Sequence, residues 1–263
     1  MKIPFYKYQG TGNDFVVIDN RQLLLSKNDT KMIRFFCDRR FGIGADGLMF
    51  LELPENERDD FTMVYFNADG NESSMCGNGG RCLVAFARDI GVIHTSATFT
   101  AIDGPHQAHV EGERVRLQMK NVTHIEIFDT HVFLDTGSPH HIALVANLAA
   151  YDVYTNGKKI REGAPYFDEG TNVNFVEQEG GNTFSVRTYE RGVENETLSC
   201  GTGVTAVALA MHAKKKVTET SVKIHTPGGT LTIDFEETPN GYENVFLSGP
   251  AMQVFKGEIE WKP

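Results

Sequence analysis

The sequence predicts an α+β protein of two pseudo-symmetric domains, each a curled, mostly antiparallel β-sheet or barrel around a central helix. Three observations predict it. An eight-residue pattern occurs twice, as Glu72-Ser73-Ser74-Met75-Cys76-Gly77-Asn78-Gly79 and as Glu196-Thr197-Leu198-Ser199-Cys200-Gly201-Thr202-Gly203. Other landmarks repeat at nearly the same offset: Thr11-Gly12-Asn13 and Thr136-Gly137-Ser138 at 125, Gly104 and Gly228 at 124, Phe66-Asn67 and Tyr189-Glu190 at 123. Self-similarity at one period marks a duplicated architecture. Finally, each copy of the pattern runs into a segment apolar all the way round, Cys82-Leu83-Val84-Ala85-Phe86-Ala87 and 204–211. A helix apolar on every face is buried on every face. A length of 263 residues suits two domains, each able to enclose its own core.

Taken in order, β-rich runs bounded by turn residues mark strands at 15–19, 48–53, 62–67, 97–102, 107–111 and 115–119. A comparable series follows at 131–134, 141–145, 174–178, 183–189, 221–225, 230–235 and 244–247. Helical spacing covers 29–40, 77–90, 147–162 with a break expected at Gly157, and 201–215. Gly91 stands where a left-handed C-terminal cap belongs, and Lys214 to Lys216 lie where cations complement a helix dipole. Weak patterning between Lys120 and Thr123 sets the domain boundary, giving domains 1–122 and 123–252. A last strand-like piece at 254–261 is expected to return to the first domain, so that 253–263 completes it.

A formal net charge of -10 and a pI near 5.4 argue against a nucleic-acid partner. Residues 1–7 lack the apolar core of a signal peptide, and no stretch approaches the ~20 apolar residues of a membrane span. A cytoplasmic protein with no membrane partner is the expectation. Four cysteines do not make a disulfide framework in a chain of this length. Neither C-x-x-C nor H-E-x-x-H occurs, so no metal is expected.

The chemistry follows from where the two repeated cysteines stand. Each immediately precedes a helix, where unpaired N–H groups and the positive dipole end stabilise a thiolate. The same N–H groups bind anions, carboxylates included. Two such thiols suit stereoinversion at the α-carbon of an amino acid, in which one sulfur removes a proton and the other returns one to the opposite face. The two protonation states must then differ, and His140 and Glu190 are the candidate modulators of the cysteine pKa values. A cysteine-dependent acyl-transfer site could be built from Cys200 and His140, but it leaves Cys76 without a purpose. A thiol redox protein would lack the usual C-x-x-C. The glycine strings Gly42-x-Gly44-x-x-Gly47 and Gly201-x-Gly203-x-x-Ala206 lack the strand-turn-helix setting of a dinucleotide site. Cys82 lies six residues past Cys76, about 240° round the helix, and should face the core, as should Cys37.

The strings Gly10-Thr11-Gly12-Asn13-Asp14-Phe15, Phe66-Asn67-Ala68-Asp69-Gly70, Cys76-Gly77-Asn78-Gly79-Gly80-Arg81-Cys82, Gly170-Thr171-Asn172-Val173-Asn174-Phe175, Tyr189-Glu190-Arg191-Gly192 and Cys200-Gly201-Thr202-Gly203 together resemble the diaminopimelate epimerase family. The resemblance runs nearly end to end. It implies a cofactor-independent epimerase interconverting LL- and meso-2,6-diaminopimelate in lysine and peptidoglycan precursor synthesis, with the two-domain fold described above and a homodimeric state. Carried over, Cys76 and Cys200 resemble the acid/base pair, and Gly77, Asn78, Gly201 and Thr202 the binding site of the reacting carboxylate. Asn13, Asn67, Asn172, Glu190 and Arg191 match positions that hold the ammonium groups and the distal carboxylate. Two positions depart from the pattern: Gly47, where some members carry Gln, and Ser138, where many carry Asn. Proline racemases and hydroxyproline epimerases share the paired thiols but need a pocket for one polar head. Asn78, Arg191 and the set of asparagines favour diaminopimelate.

Overall fold

The computed structural model describes residues 1–73 and 75–262; Ser74, inside the first copy of the cysteine pattern, and Pro263 lie outside the described residues. In chain order the first elements are β1 (Lys2–Gly10), β2 (Asn13–Asp19), α1 (Thr30–Cys37), β3 (Gly47–Glu52), β4 (Phe61–Asn67), α2 (Gly77–Asp89), β5 (Ser96–Ala101), β6 (Gly104–Glu111) and β7 (Arg114–Gln118). Then come β8 (Ile125–Ile127), β9 (Val132–Asp135), β10 (Pro139–Leu144), α3 (Val153–Glu162), β11 (Asn172–Gly180), β12 (Thr183–Glu190) and β13 (Asn195–Thr197). The chain ends with α4 (Gly201–Ala213), β14 (Ser221–Thr226), β15 (Gly229–Thr238), β16 (Gly241–Pro250) and β17 (Met252–Glu260). Met1–Leu117 with Gly249–Pro263 form one compact unit, and Gln118–Ser248 form a second. Among the described residues no helix is long and apolar enough to cross a membrane.

In the first unit β17 pairs antiparallel with β1, and from β1 to β7 successive neighbours pair antiparallel, parallel, antiparallel, parallel, antiparallel and antiparallel. In the second unit β9, β10, β11, β12, β14, β15 and β16 follow the same series. Even the short β13, which pairs Glu196 with Tyr189, has its counterpart in the bridge between Glu72 and Phe66. The repeat in the sequence is therefore a repeat in the pairing of strands.

Each unit holds one helix inside. All residues of α2 from Gly77 to Ala87 are buried, against β1, β2, β3, β4, β6 and β17. In α4 every residue from Gly203 to Met211 is buried, against β9, β10, β11, β14 and β15. Each fully buried Leu, Val or Phe contributes about 1.5–3 kcal/mol, which offsets the poor helix propensity of the leading glycines, about 1 kcal/mol each. Those glycines have a packing reason. A Cβ at Gly79 would stand 3.2 Å from Met49 Sδ, and one at Gly80 would stand 3.0 Å from Leu117 Cδ2.

Three expectations need correction. The period-2 signal in residues 2–10 is masked by Pro4 and by Lys7, whose buried ammonium is paired with Asp14 and the Gly44 carbonyl; β1 is nevertheless a nine-residue strand. The first helix stops at Cys37 because Asp38 turns extended and its carboxylate reaches forward to accept the N–H groups of Arg40 and Phe41. Gly157 does not break its helix. The true start is Asp152, whose carboxylate accepts the Thr155 N–H, and Gly157 lies mid-helix because a Cβ there would come within 2.4 Å of Tyr189 Cβ. Past the C-terminal end of α2, Gly91 adopts φ +75, as a left-handed cap requires.

Candidate active site

Cys76 is the N-cap of α2 and Cys200 the N-cap of α4, both with extended backbones. The first rungs of the two helices are Gly80 N–H to Cys76 O (2.7 Å) and Val204 N–H to Cys200 O (3.0 Å). The N–H groups of Gly77, Asn78 and Gly79, and of Gly201, Thr202 and Gly203, precede those rungs and point out of the helix ends.

In the first unit Cys76 Sγ stands 3.7 Å from Asn13 Oδ1, the acceptor of that contact. Asn13 is oriented from behind: its Nδ2 donates to Asp46 Oδ2 (2.5 Å), and a carboxylate can only accept, so the amide oxygen faces the sulfur. Asp46 is in turn held by Arg39, which also bridges to Asp14. Asn78 is buried and its Oδ1 accepts from Arg81 (3.0 Å). Asn67, exposed, ends β4 opposite Gly47. A Cβ at Gly47 would lie 2.6 Å from both Phe66 O and Tyr65 Cε2. The space beside position 47 is thus filled by the Tyr65 ring.

The second unit gathers its residues into one network. Asn174 Nδ2 donates to His140 Nδ1 (3.1 Å) and to the carbonyl of His141 (3.3 Å). Because a carbonyl can only accept, the Asn174 amide is fixed, so Nδ1 of His140 is an acceptor and its proton sits on Nε2. Burial holds His140 far below the ordinary histidine range, at about 3, and it is neutral at physiological pH. Its Nε2–H faces Ser138 Oγ (3.1 Å), which also receives Asn172 Nδ2 (3.0 Å) and lies 3.3 Å from Thr202 Oγ1. Thr202 Oγ1 is 3.5 Å from Cys200 Sγ. Asn172 Oδ1 accepts the backbone N–H of Arg191 (2.9 Å), whose side chain donates to Glu169 O. Glu190 Oε2 accepts from Thr197 (2.9 Å).

The structure therefore brings together Cys200, Thr202, Ser138, His140, Asn172 and the Arg191 backbone in one unit, and Cys76, Asn13 and Asn78 in the other. It adds residues the sequence does not single out. Asn174 is the pivot of the His140 network, accepting also from Thr188 Oγ1 (2.9 Å), and Gly203 gives it room, since a Cβ there would lie 2.5 Å from Asn174 Oδ1. Asp46 orients Asn13. Replacing Asn174 with Leu is expected to leave His140 Nδ1, the His141 carbonyl and the Thr188 hydroxyl unsatisfied, lowering stability by about 3 kcal/mol or more at roughly 1–3 kcal/mol per group. A urea midpoint within error of the parent would refute that role.

A family model described as diaminopimelate epimerase matches residues 5–130 and 132–254. The chain belongs to the diaminopimelate epimerase family. A diaminopimelate epimerase from Flavobacterium psychrophilum is 53% identical over 258 residues, 98% of this chain and 100% of its own. Among solved structures, a PhzF-family phenazine biosynthesis protein from Bacillus anthracis aligns with a TM-score of 0.80 at 15% identity, covering 99% of this chain and 100% of that one. A hydroxyproline epimerase from Agrobacterium vitis, with bound trans-4-OH-L-proline, aligns with a TM-score of 0.69 at 14% identity, over 98% of this chain and 91% of that one. Both share the fold. Membership in the diaminopimelate epimerase family makes the chain an isomerase. Gly47 and Ser138 have local accounts: Tyr65 fills the space at Gly47, and Ser138 is the central oxygen of the His140 network.

Proposed function

We propose that this chain interconverts LL- and meso-2,6-diaminopimelate without a cofactor, with Cys76 and Cys200 as the two acid/base groups. The observation that carries the reading is the duplicated placement of a cysteine as N-cap of the one buried helix in each unit. Inversion requires a base on one face of the α-carbon and an acid on the other, and a duplicated unit supplies one thiol per copy. The α-hydrogen is a weak acid, so charge that develops on the adjacent carboxylate must be stabilised as the proton leaves. The N–H groups of Gly77 and Asn78 and of Gly201 and Thr202 are preorganised donors for that charge. Exclusion of water would strengthen them.

The remaining residues select the substrate. Diaminopimelate carries a second zwitterionic head, which needs an Arg, a carboxylate and several amides to leave water without large cost. Arg191, Glu190, Asn172, Asn13 and Asn67 fill that role. His140, neutral and with its proton on Nε2, acts as a hydrogen-bond donor through Ser138, not as a proton carrier. Glu190 modulates the protonation of the site from the end of β12. The reading includes a cytoplasmic homodimer serving lysine and peptidoglycan precursor synthesis, with the dimer checked by sedimentation.

In D2O, the purified protein is expected to incorporate deuterium at the α-carbon of diaminopimelate with no pyridoxal phosphate added. Exchange into proline or hydroxyproline and none into diaminopimelate would replace this reading with that of a proline racemase-like enzyme.

A further inference from the structure

Arg81, on the second turn of α2, is completely buried, and among the described residues no carboxylate pairs with it. Its hydrogen bonds go to neutral oxygens: Nη1 to Gly77 O (3.2 Å), Nη2 to Asn78 Oδ1 (3.0 Å) and to Thr11 Oγ1 (3.2 Å). Its Nε has no partner at all among the described residues. A buried cation ordinarily has an anion beside it. Helical side chains lean toward the N-terminus, and the bonds to Gly77 and Asn78 set the guanidinium over the first turn, next to the N-cap Cys76. Gly10 keeps that space open, since a Cβ there would lie 3.3 Å from Arg81 Nη2 and 3.1 Å from Asn78 O.

The equivalent position in the second unit carries no charge. The position equivalent to Arg81, at the cysteine offset of 124, is Thr205, whose buried hydroxyl donates to Gly201 O at 2.9 Å. Both side chains serve the same carbonyl of the first turn, one with a full charge and one with none. The position equivalent to Gly10, at the offset of 125, is Asp135.

We propose that Arg81 is a positioning residue that holds Cys76 as the thiolate in the resting enzyme and so leaves Cys200 as the thiol. The proposal rests on the two-thiol reading above. Burial lowers the Arg81 pKa to about 10, which keeps it charged at neutral pH, while negative charge on Cys82 and on Cys76 acts to raise it. The coupling is mutual, so the guanidinium stabilises a Cys76 thiolate by the same interaction. Cys82, on the same helix, does not compete for that charge, because burial pushes its thiol up to about 12.

The other charged groups near this region are Asp46, which holds Asn13 and is paired with Arg39, Asp14 on β2, paired with Lys7 of β1 and with Arg39, and Arg114 on β7, a second cation that acts on Arg81. Asn13 Oδ1 favours the protonated thiol, but a neutral contact at 3.7 Å is weak. The full charge of Arg81, held over the same first turn by Gly77 O and Asn78 Oδ1, acts in the opposite sense, and the Asp14 and Asp46 carboxylates are already paired with Arg39. The Cys200 sulfur lies 3.5 Å from the Thr202 hydroxyl. Behind Thr202 and Ser138 stands neutral His140, on which the opposed charges of Asp135 and Arg191 act, and Glu190 ends β12, bonded to Thr197.

With this resting state, the Cys76 sulfur takes the α-proton of the stereoisomer presented to it, and the Cys200 S–H proton passes to the opposite face of the carbanion. The enzyme is left with Cys76 as thiol and Cys200 as thiolate. It returns to rest when Cys76 loses its proton to water and Cys200 gains one.

The test is alkylation by iodoacetamide, quantified for each cysteine by mass spectrometry across about pH 5–10, since the thiolate is the reacting form. In the parent protein the Cys76 midpoint is expected at least about one unit below that of Cys200. Arg81→Gln should raise the Cys76 midpoint by about 1–3 units and leave Cys200 nearly in place, and Arg81→Lys should restore most of the shift. Continued protection of the buried Cys37 and Cys82 reports that the variant is folded. A parent Cys76 midpoint at or above that of Cys200 overturns the proposal, whether or not Arg81→Gln folds; so does an unchanged midpoint in folded Arg81→Gln. The two-thiol reading is tested separately, because loss of deuterium exchange into diaminopimelate by the parent protein sinks it whatever the alkylation profile.

Discussion

Replacing either Cys76 or Cys200 with alanine is expected to lower epimerisation by about 10²–10⁴-fold or more, the range that one positioned acid or base contributes. The loss should lie in kcat, because the backbone N–H groups that would hold the carboxylate belong to Gly77, Asn78, Gly201 and Thr202 and survive the change. The two variants should differ in one respect. A single remaining thiolate can remove a proton only from the stereoisomer whose α-hydrogen points at it, and it can return a solvent deuteron only to the face it came from. Cys76→Ala should therefore exchange deuterium slowly into one stereoisomer without inversion, and Cys200→Ala into the other. Chiral chromatography of the deuterated products distinguishes them. Full inversion by either variant would remove that cysteine from the mechanism, and burst acylation by activated esters that requires only one of the two cysteines would point to acyl-transfer chemistry.

The parts of this site that the sequence reveals are those the duplication writes twice. Cys76 and Cys200, Asn78 and Thr202, and Asn13 and Ser138 are visible because the chain repeats them at offsets of 124, 124 and 125, and the all-apolar segments behind them admit only a buried helix. The same logic exposes the curled sheets, since each buried helix needs strands around it. What stays hidden depends on burial and register. Arg81 reads as an ordinary helical arginine until its guanidinium is found sealed over the first turn of α2. Asn174 lies inside a family-like string, but its role as a donor to His140 arises only because β10 and β11 run parallel with His140 opposite Asn172. Gly157 resembles a helix breaker because the ring of Tyr189, thirty-two residues on, cannot be seen from the local sequence. Gly47 looks like a lost side chain, and it is the Tyr65 ring that takes the room.

Stability should fall as the pH drops from neutrality, well before the carboxylates titrate. Burial holds His140 at about 3 and His141 at about 4, against an unfolded value of about 6.5. A folded pKa below the unfolded one means that the unfolded chain binds the extra proton between those values. The stabilisation is thus fully present above about pH 6.5 and is lost progressively as the pH falls toward 4 and then 3. At pH 4.5 each histidine has cost about 2–3 kcal/mol, and the pair about 5, a large share of the 5–15 kcal/mol that holds a typical domain. Burial also lowers His131, stacked on His141 at 4.2 Å, and it acts in the same direction. Asp14 works over a different window. Burial pushes its pKa up, but hydrogen bonds from Arg39 and Lys7 outweigh burial and hold it at about 2, so its contribution is lost only below about pH 4. Acid unfolding that begins near pH 6 is therefore a histidine signature, and unfolding that begins near pH 4 is a carboxylate one. Urea midpoints, with hydrogen exchange followed in the peptide spanning β10, should decline between pH 6.5 and 4.5. His141→Phe keeps a ring for the stack on His131 and removes one titrating site, so it should reduce the slope by about one proton. A midpoint that stays flat down to pH 4.5 would mean that His140 and His141 can be protonated in place, and with that the neutral, Nε2-protonated His140 assigned to the site would fail.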